Sequence, residues 1–386
     1  MKTIKLLLTA ITILTCIVST QAQIVNIPDA NFKAALVGNA SINTNMDAEI
    51  QTSEAATFTG AIYVSSIGIT DLTGIEAFVL LISLDCGGNQ IAGGLDVGNN
   101  TALFYLNCMG NQLTSLNVTD CIALNDLQCW GNQLTSLNVS SCTALTTLNC
   151  AYNQLTSLDV LANALLTNLD CENNSLTSLS VSACIALTSL HCAFNQLTSL
   201  DVLANALLTS LDCRNNSLTS LDVSACTALD YLNCTNNQLI SLDVRNGNNI
   251  NFYAGPNPQD PLVIYNIIMF NNPLLFCINV DDANWSTANW TVQNYNIDPH
   301  HYFSNNCSGA GISDINESNA PMFYPNPTTG TIYLSEQSNI TLSDLSGKLL
   351  LEEKNTKQLD LSALPAGMYF LHVGENNLHT YKVIKE

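Results

Sequence analysis

The sequence predicts a repeat solenoid of short parallel strands, mostly β and irregular structure, with an N-terminal helical cap and a small C-terminal β-sandwich domain. Residues 153–236 consist of two 42-residue units that are identical at 33 positions, and each unit divides into two 21-residue units. One such unit cannot bury a hydrophobic face alone, so stacked neighbours must share a continuous core.

Two columns of residues set the register of the repeats. A cysteine is followed three positions later by an asparagine, and successive pairs lie 22 residues apart once and 21 residues apart thereafter. A buried side-chain amide can satisfy backbone groups of adjacent coils where no helix or sheet does so. We therefore expect both columns to face inward: Cys86, Cys108, Cys129, Cys150, Cys171, Cys192, Cys213 and Cys234, with Asn89, Asn111, Asn132, Asn153, Asn174, Asn195, Asn216 and Asn237.

The repeated spacing L-x-x-L-x-[LC]-x-x-N-x-L resembles the leucine-rich-repeat family. Within it, Ile67–Cys86 resembles the early coils of bacterial internalin-like proteins. The resemblance implies that the first strand of each coil lines a concave face, where such proteins bind their ligands.

Two different states are expected for the cysteines. Inward thiols on a regular column pack as small hydrophobic groups, and parallel in-register strands do not bring their Cβ atoms close enough for a disulfide. A second column holds Cys121, Cys142, Cys184 and Cys226, with asparagine at positions 100, 163 and 205. Cys277 and Cys307 lie outside the repeats, where the oxidising compartment of an exported protein favours a disulfide between them.

The chain divides into six predicted segments. Lys2 and Lys5 precede a short apolar run, which is typical of a secretory signal cleaved between Ala22 and Gln23. No later apolar run is long enough to span a membrane. The segments are a signal peptide (1–22), an N-terminal cap (23–58), the repeats (59–250), a last irregular coil with a C-terminal cap (251–307), a linker (308–320) and a β-domain (321–386).

The last segment contains several motifs in a characteristic order. They are Tyr324-Pro325-Asn326-Pro327, Asp344-Leu345-Ser346-Gly347-Lys348, Asp360 to Tyr369, and Tyr381 to Lys385. Together they resemble the type A sorting domain of type IX secretion. The resemblance implies recognition by the type IX machinery and a secreted or outer-membrane surface location in a gram-negative bacterium.

The N-terminal cap contains a degenerate calcium-loop pattern. Asn43, Asn45, Asp47 and Glu54 fall at side-chain ligand positions of the helix–loop–helix calcium motif, and Glu49 falls at the carbonyl position. Asn43 stands where aspartate is usual and residue 48 is alanine where the sharp turn favours glycine. A weak calcium site and a polar turn between two capping helices both remain open, and no other cofactor is expected.

Composition excludes some classes of function. The net charge is −21, and only eight lysines and arginines follow the predicted signal. Nucleic-acid binding needs basic residues to displace counterions from phosphates, so it is not expected. No catalytic motif is present and none of the five histidines has a metal-ligand spacing, so the sequence predicts a binding protein and not an enzyme.

The internal duplication indicates where a ligand binds. Of the nine differences between the two 42-residue units, seven fall beside the first strand of a coil, whereas the inward columns are unchanged. Aromatic and arginine side chains are common anchors of protein interfaces, and aromatic rings also stack on sugars. The candidates are Tyr105, Trp130, Tyr152, His191, Phe194, Arg214 and Tyr231. Three functions stay open: a protein-binding surface, a carbohydrate-binding adhesin, and a structural spacer without a specific ligand.

Overall fold

The computed structural model describes residues 23–252, 266–292, 294, 296–307, 323–324, 328–345, 347–374 and 379–385. The predicted signal with Ala22 and the predicted linker lie outside the described residues. The chain forms two compact units, Met1–Asn305 and Asn306–Glu386.

In chain order the helices and strands are α1 (Ala30–Val37), α2 (Thr52–Thr57), β1 (Ala61–Tyr63), β2 (Ser83–Asp85), β3 (Ala92–Asp96), β4 (Tyr105–Asn107), β5 (Gln112–Asn117), β6 (Asp126–Gln128), β7 (Thr147–Asn149), β8 (Asn168–Asp170), β9 (Ser189–His191), β10 (Ser210–Asp212), β11 (Ser220–Asp222), β12 (Tyr231–Asn233), β13 (Ser241–Asp243), β14 (Ile267–Ile268), β15 (Cys277–Asn279), α3 (Ala283–Asn289), β16 (Tyr302–Ser304), β17 (Phe323–Tyr324), β18 (Thr331–Ser343), β19 (Leu349–Asp360), β20 (Gly367–Val373) and β21 (His379–Lys385). Single turns of 3₁₀ helix span Ile75–Ala77 and Asn249–Asn251.

The first strands of the coils form one parallel sheet of ten described strands. Its order is β1-β2-β4-β6-β7-β8-β9-β10-β12-β14, so each strand pairs with the equivalent strand of the next coil. The second rows pair less continuously, as β3-β5 and as β11-β13-β15-β16. The predicted leucine-rich-repeat solenoid of short parallel strands is confirmed, and its ladders continue into residues 251–307.

Alternation along each short strand creates the core. In β6, for example, Leu127 is buried while Asp126 and Gln128 are half-buried on the other side. Successive side chains of a strand point to opposite faces, so the central leucine of eight of the ten described strands enters the interior, with Ile62 in β1 and Ile267 in β14 at the same position. These leucines and both cysteine columns join one hydrophobic cluster that extends from Val25 to Ile297.

The asparagine column connects neighbouring coils through its amides. The Asn132 Nδ2 atom donates to the carbonyls of Cys108 at 3.0 Å and Cys129 at 3.1 Å, and its Oδ1 accepts from the Leu113 N–H at 3.0 Å. One amide therefore satisfies three backbone groups on two coils, as predicted. A further member, Asn272, continues the ladder by donating to Cys234 and Met269.

The twelve described repeat cysteines are buried free thiols, as predicted. Burial raises the pKa of Cys108, Cys150 and Cys234 to about 12. The reactive thiolate is therefore suppressed and these side chains act as core packing. Cys277 and Cys307 are disulfide-bonded.

Capping residues cover both ends of the solenoid. At the N-terminus, Asp29 caps α1 and also accepts from Thr70, at 2.8 Å from its N–H and 2.9 Å from its hydroxyl, which ties the cap to the first coil. At the C-terminus, Trp290 is 1% exposed and packs edge-on against Phe252 and Phe303. Stacked repeats need such caps because their end coils would otherwise expose core side chains.

The C-terminal unit is all-β, as predicted, with one antiparallel sheet of five described strands. Register shifts divide β18 between Tyr333 and Ser338, where it pairs with β19. Bulges bend a strand, and both halves of β18 contribute to one core, through Ile332 and Leu342. The Tyr369 hydroxyl donates to the Pro365 carbonyl at 2.7 Å and fixes the start of β20.

Candidate ligand-binding surface

The ten-strand face is the outward surface of the ten-strand sheet together with the residues that immediately follow each strand. It is the surface that the repeat resemblance predicts to bind ligand. All seven predicted ligand-binding residues lie on it. Trp130, Tyr152 and Phe194 are 37%, 54% and 43% exposed, and Tyr105, His191, Arg214 and Tyr231 are half-buried.

Every coil from β2 onward turns after its strand through one residue in the left-handed region. Most coils place glycine or asparagine there, which adopt this conformation at low cost. The residues are Gly88, Gly110, Gly131, Tyr152, Asn173, Phe194, Asn215, Asn236 and Asn271. Tyr152 and Phe194, with φ of 53° and 52°, are the two aromatic members. For a bulky side chain this backbone is unfavourable, and strain of this kind gathers at functional sites.

Phe194 carries a cationic neighbour. The guanidinium carbon of Arg214 lies 5.5 Å from the centre of the Phe194 ring, which is within cation–π range. The same guanidinium lies 3.4 Å from the Asp212 carboxylate. Arg214 is the only basic residue between Lys33 and Arg245, so this pairing is exceptional on an otherwise acidic face.

Tyr152 carries an anionic neighbour instead. The Glu172 carboxylate, through its interaction with the Tyr152 hydroxyl and its negative charge, raises the pKa of Tyr152. On β8, Asp170 is half-buried, and burial raises the pKa of its carboxyl. Aromatic rings and carboxylates thus occur together at the middle of the face.

His191 lies between the two aspartates. Its Cα pairs with that of Asp170 on one side and with that of Asp212 on the other. The two carboxylates are therefore two strands apart, about 10 Å in a parallel sheet. At that separation they are too far apart to share a proton.

Sequence reasoning did not include Asp170, Glu172 and Asp212 among the ligand-binding candidates. Their relation to the aromatics depends on the chain returning one coil later, which pairs position 152 with position 172. The left-handed column was visible in the sequence as a series of glycines and asparagines. Two aromatic residues interrupting that series are the signal that could have identified the strained positions.

The residues of the predicted calcium loop form hydrogen bonds with one another. Glu54 Oε1 accepts from the Thr44 N–H at 2.8 Å, the Thr44 hydroxyl at 2.9 Å and the Asn45 N–H at 3.2 Å, and Oε2 accepts from the Gln51 N–H at 3.0 Å. The Asp47 carboxylate accepts from Glu49 and Gln51.

The remaining loop residues are engaged in the same way. The Asn45 Nδ2 atom donates to Asp47 at 2.9 Å, and Asn43 Nδ2 donates to the Asp47 carbonyl at 2.8 Å. The Glu49 carboxylate lies 2.6 Å from the Lys33 ammonium. A calcium ion would have to replace these donors, and its binding stays a prediction.

Sequence spacing also missed one group of histidines at the C-terminal cap. Ligand atoms of Asp298, His300 and His301 all lie within 4.8 Å of one another. In the structure they serve the cap, because Asp298 accepts from the Asn272 N–H at 3.0 Å and His301 Nδ1 accepts from the Asp298 N–H at 3.3 Å. Burial lowers the pKa of His301 to about 4, so that side chain is neutral at physiological pH.

The comparisons with known proteins bear on the two units separately. Residues 322–386 match the family model of the secretion system C-terminal sorting domain. No curated protein matches the chain.

Several solved structures are similar to this chain. One is the functional domain of InlJ from Listeria monocytogenes, described as including a cysteine ladder, with 24% identity and a TM-score of 0.41 over 94% of this chain and 98% of that one. An internalin, InlF, from the same species has 18% identity and a TM-score of 0.38 over 69% and 93%. A leucine-rich-repeat protein of Leptospira interrogans has 20% identity and a TM-score of 0.41 over 59% and 75%.

The consensus spacing and the parallel ladder define a leucine-rich-repeat solenoid, and the family match defines a secretion sorting domain. The chain therefore combines a solenoid of the leucine-rich-repeat type with a sorting domain that indicates a secreted or cell-surface bacterial protein. Among the described residues, no helix is long and apolar enough to cross a membrane.

Proposed function

We propose that this protein binds a protein partner non-covalently on the ten-strand face, after type IX secretion has carried it across the outer membrane of a gram-negative cell. The observation that carries the proposal is the pair of exposed aromatic residues, Tyr152 and Phe194, at left-handed backbone positions. Seven of the nine coils from β2 onward place glycine or asparagine there, so the two aromatics oppose the backbone preference, which favours a role outside folding.

The construction of the face suits recognition. Its side chains stand on hydrogen-bonded strands whose register is set by the asparagine ladder. A rigid surface loses little conformational entropy on binding, and exposed aromatic and arginine side chains supply the anchors. Catalysis is not part of the proposal, because the two aspartates nearest the aromatics are separated by His191 and about 10 Å.

The test is a binding measurement with matched variants. Proteins captured by the immobilised full chain are identified, and one is purified for titration against the wild type and the Trp130→Ala and Tyr152→Ala variants. Truncating an interface anchor costs about 2 kcal/mol or more, so the dissociation constant should rise at least tenfold.

The control variant is Thr177→Ala, an exposed turn residue away from the face. Its affinity should equal that of the wild type, and circular-dichroism melts should be unchanged for all variants. Equal losses for the control and the anchors would contradict the proposal, as would binding only to a glycan array.

A further inference from the structure

The internal duplication gives a comparison within one molecule. Tyr152 and Glu172 lie 42 residues before Phe194 and Arg214. The backbone N–H of Tyr152 donates to the Glu172 carbonyl at 2.9 Å, and the backbone N–H of Phe194 donates to the Arg214 carbonyl at 3.0 Å. These two groups of residues are built on the same backbone framework.

The third member of each group is also equivalent. The Glu172 N–H donates to Asp170 Oδ1 and the Arg214 N–H donates to Asp212 Oδ1, both at 3.2 Å. Each group therefore consists of an aromatic ring, an aspartate and one charged side chain that differs between the two groups.

Beside Phe194 the protein supplies its own cation. Arg214 covers the Phe194 ring and contacts Asp212, so a guanidinium is held between an aromatic face and a carboxylate. This is the geometry in which cation–π attraction and ion pairing act together.

Beside Tyr152 that cation is replaced by an acid. Tyr152 keeps the aromatic ring and Asp170 keeps the carboxylate, while Glu172, whose carbonyl accepts from the Tyr152 backbone N–H, adds a second carboxylate. The titratable groups nearby are His191 on the next strand, then Asp212 and Arg214 on the strand beyond it. Arg214 is already paired with Asp212.

The geometry points to Tyr152, Asp170 and Glu172 as a subsite for a guanidinium or ammonium group supplied by a protein partner. The inference rests on the proposed function and names the chemistry that this part of the face recognises: a basic side chain of the partner. Arg214 on Phe194 shows how the same framework holds such a group. Two carboxylates in place of one give the subsite the negative charge that an incoming cation complements.

The experiment uses the full chain with fluorinated tyrosine and follows the ¹⁹F resonance of Tyr152, assigned by its loss in Tyr152→Phe. The probe is the blocked tripeptide acetyl-Gly-Arg-Gly-amide, and its uncharged control is acetyl-Gly-Gln-Gly-amide. We expect the arginine peptide to shift the Tyr152 resonance saturably and the glutamine peptide to leave it unchanged. Raising the salt concentration should weaken binding, because ion pairs at a surface are screened.

Two reciprocal variants decide the assignment. Glu172→Arg gives the Tyr152 group the same charged residue as the Phe194 group and should reduce probe affinity at least fivefold. The melting temperature should not fall, because Arg214 already occupies the equivalent position. Arg214→Glu gives the Phe194 group the same charged residue as the Tyr152 group and should add a second binding event per chain.

Equal shifts from both peptides, or undiminished binding to Glu172→Arg, would overturn the subsite. Failure of the proposed function looks different. In that case the probe still shifts Tyr152, but no purified partner loses affinity on Trp130→Ala. Conversely, a partner that depends on Trp130 and is indifferent to Glu172→Arg removes the subsite and leaves the binding function standing.

Discussion

At the scale of single residues, the hydrogen bonding of buried backbone groups explains why the asparagine column is constant and the second inward column varies. The asparagine that follows the buried cysteine repeats without exception because its amide satisfies both the coil before it and its own. The second inward column is less demanding. Asn163 donates to the Val139 and Cys142 carbonyls, whereas its Oδ1 has no partner among the described residues.

This difference predicts unequal costs of substitution. Asn132→Ala removes the partner of three backbone groups and should lower the free energy of unfolding by about 2–4 kcal/mol. Asn163→Cys should change it by less than about 1 kcal/mol, because Cys184 at the same position bonds to the equivalent Val160 carbonyl. Denaturant midpoints measure both, and equal destabilisation would contradict the account.

Single residues differ in how far the sequence predicts their contacts. Periodicity predicted the inward columns because burial and hydrogen bonding repeat with the coil. It did not predict the pairing of Tyr152 with Glu172, since that contact depends on how far the chain travels before it returns. Asn272 was also missed, because 35 residues separate it from Asn237 and an insertion there breaks the 21-residue period.

At the scale of elements, the N-terminal cap depends on buried acceptors. Glu54 is 9% exposed, and its carboxylate accepts from both the loop before α2 and the start of that helix. Burial opposes ionisation of this carboxyl, but hydrogen bonds from Gln51, Thr44 and Asn45 outweigh it and hold its pKa below the usual 4.5. The pKa of Asp29 is lowered in the same sense: burial opposes the shift and bonds from Thr70 and Phe32 outweigh it.

A lowered folded-state pKa gives the cap a defined acid sensitivity. Folding favours the ionised carboxylate, so this stabilisation is fully present above pH 4.5 and is lost as the pH falls through the folded-state pKa. Glu54→Gln should melt at a lower temperature than wild type at pH 7, and the two should converge on acidification. Thermal melts between pH 7 and pH 3 measure this, with the exposed Asp230→Asn as control. A constant difference across that range would contradict the assignment.

At the scale of the whole molecule, core and surface follow different rules. Stacking fixes the leucine, cysteine and asparagine columns, so the sequence predicts the solenoid and its inward residues well. The outward residues of the face are released from that constraint, and under the proposed function their identities reflect the partner that the face binds. A net charge of −21 and a single arginine among the described residues of the ten-strand face favour a partner with basic groups.

The measurement that tests the central claim most directly is the effect of Tyr152→Gly on stability and on binding together. Glycine relieves a left-handed strain of about 1 kcal/mol, and Gly131 occupies the equivalent position one coil earlier. We predict a melting temperature equal to or above that of wild type, with at least a tenfold loss of affinity for the purified partner. A lower melting temperature with unchanged affinity would show that Tyr152 serves the fold, and would contradict the assignment of the ten-strand face as the binding surface.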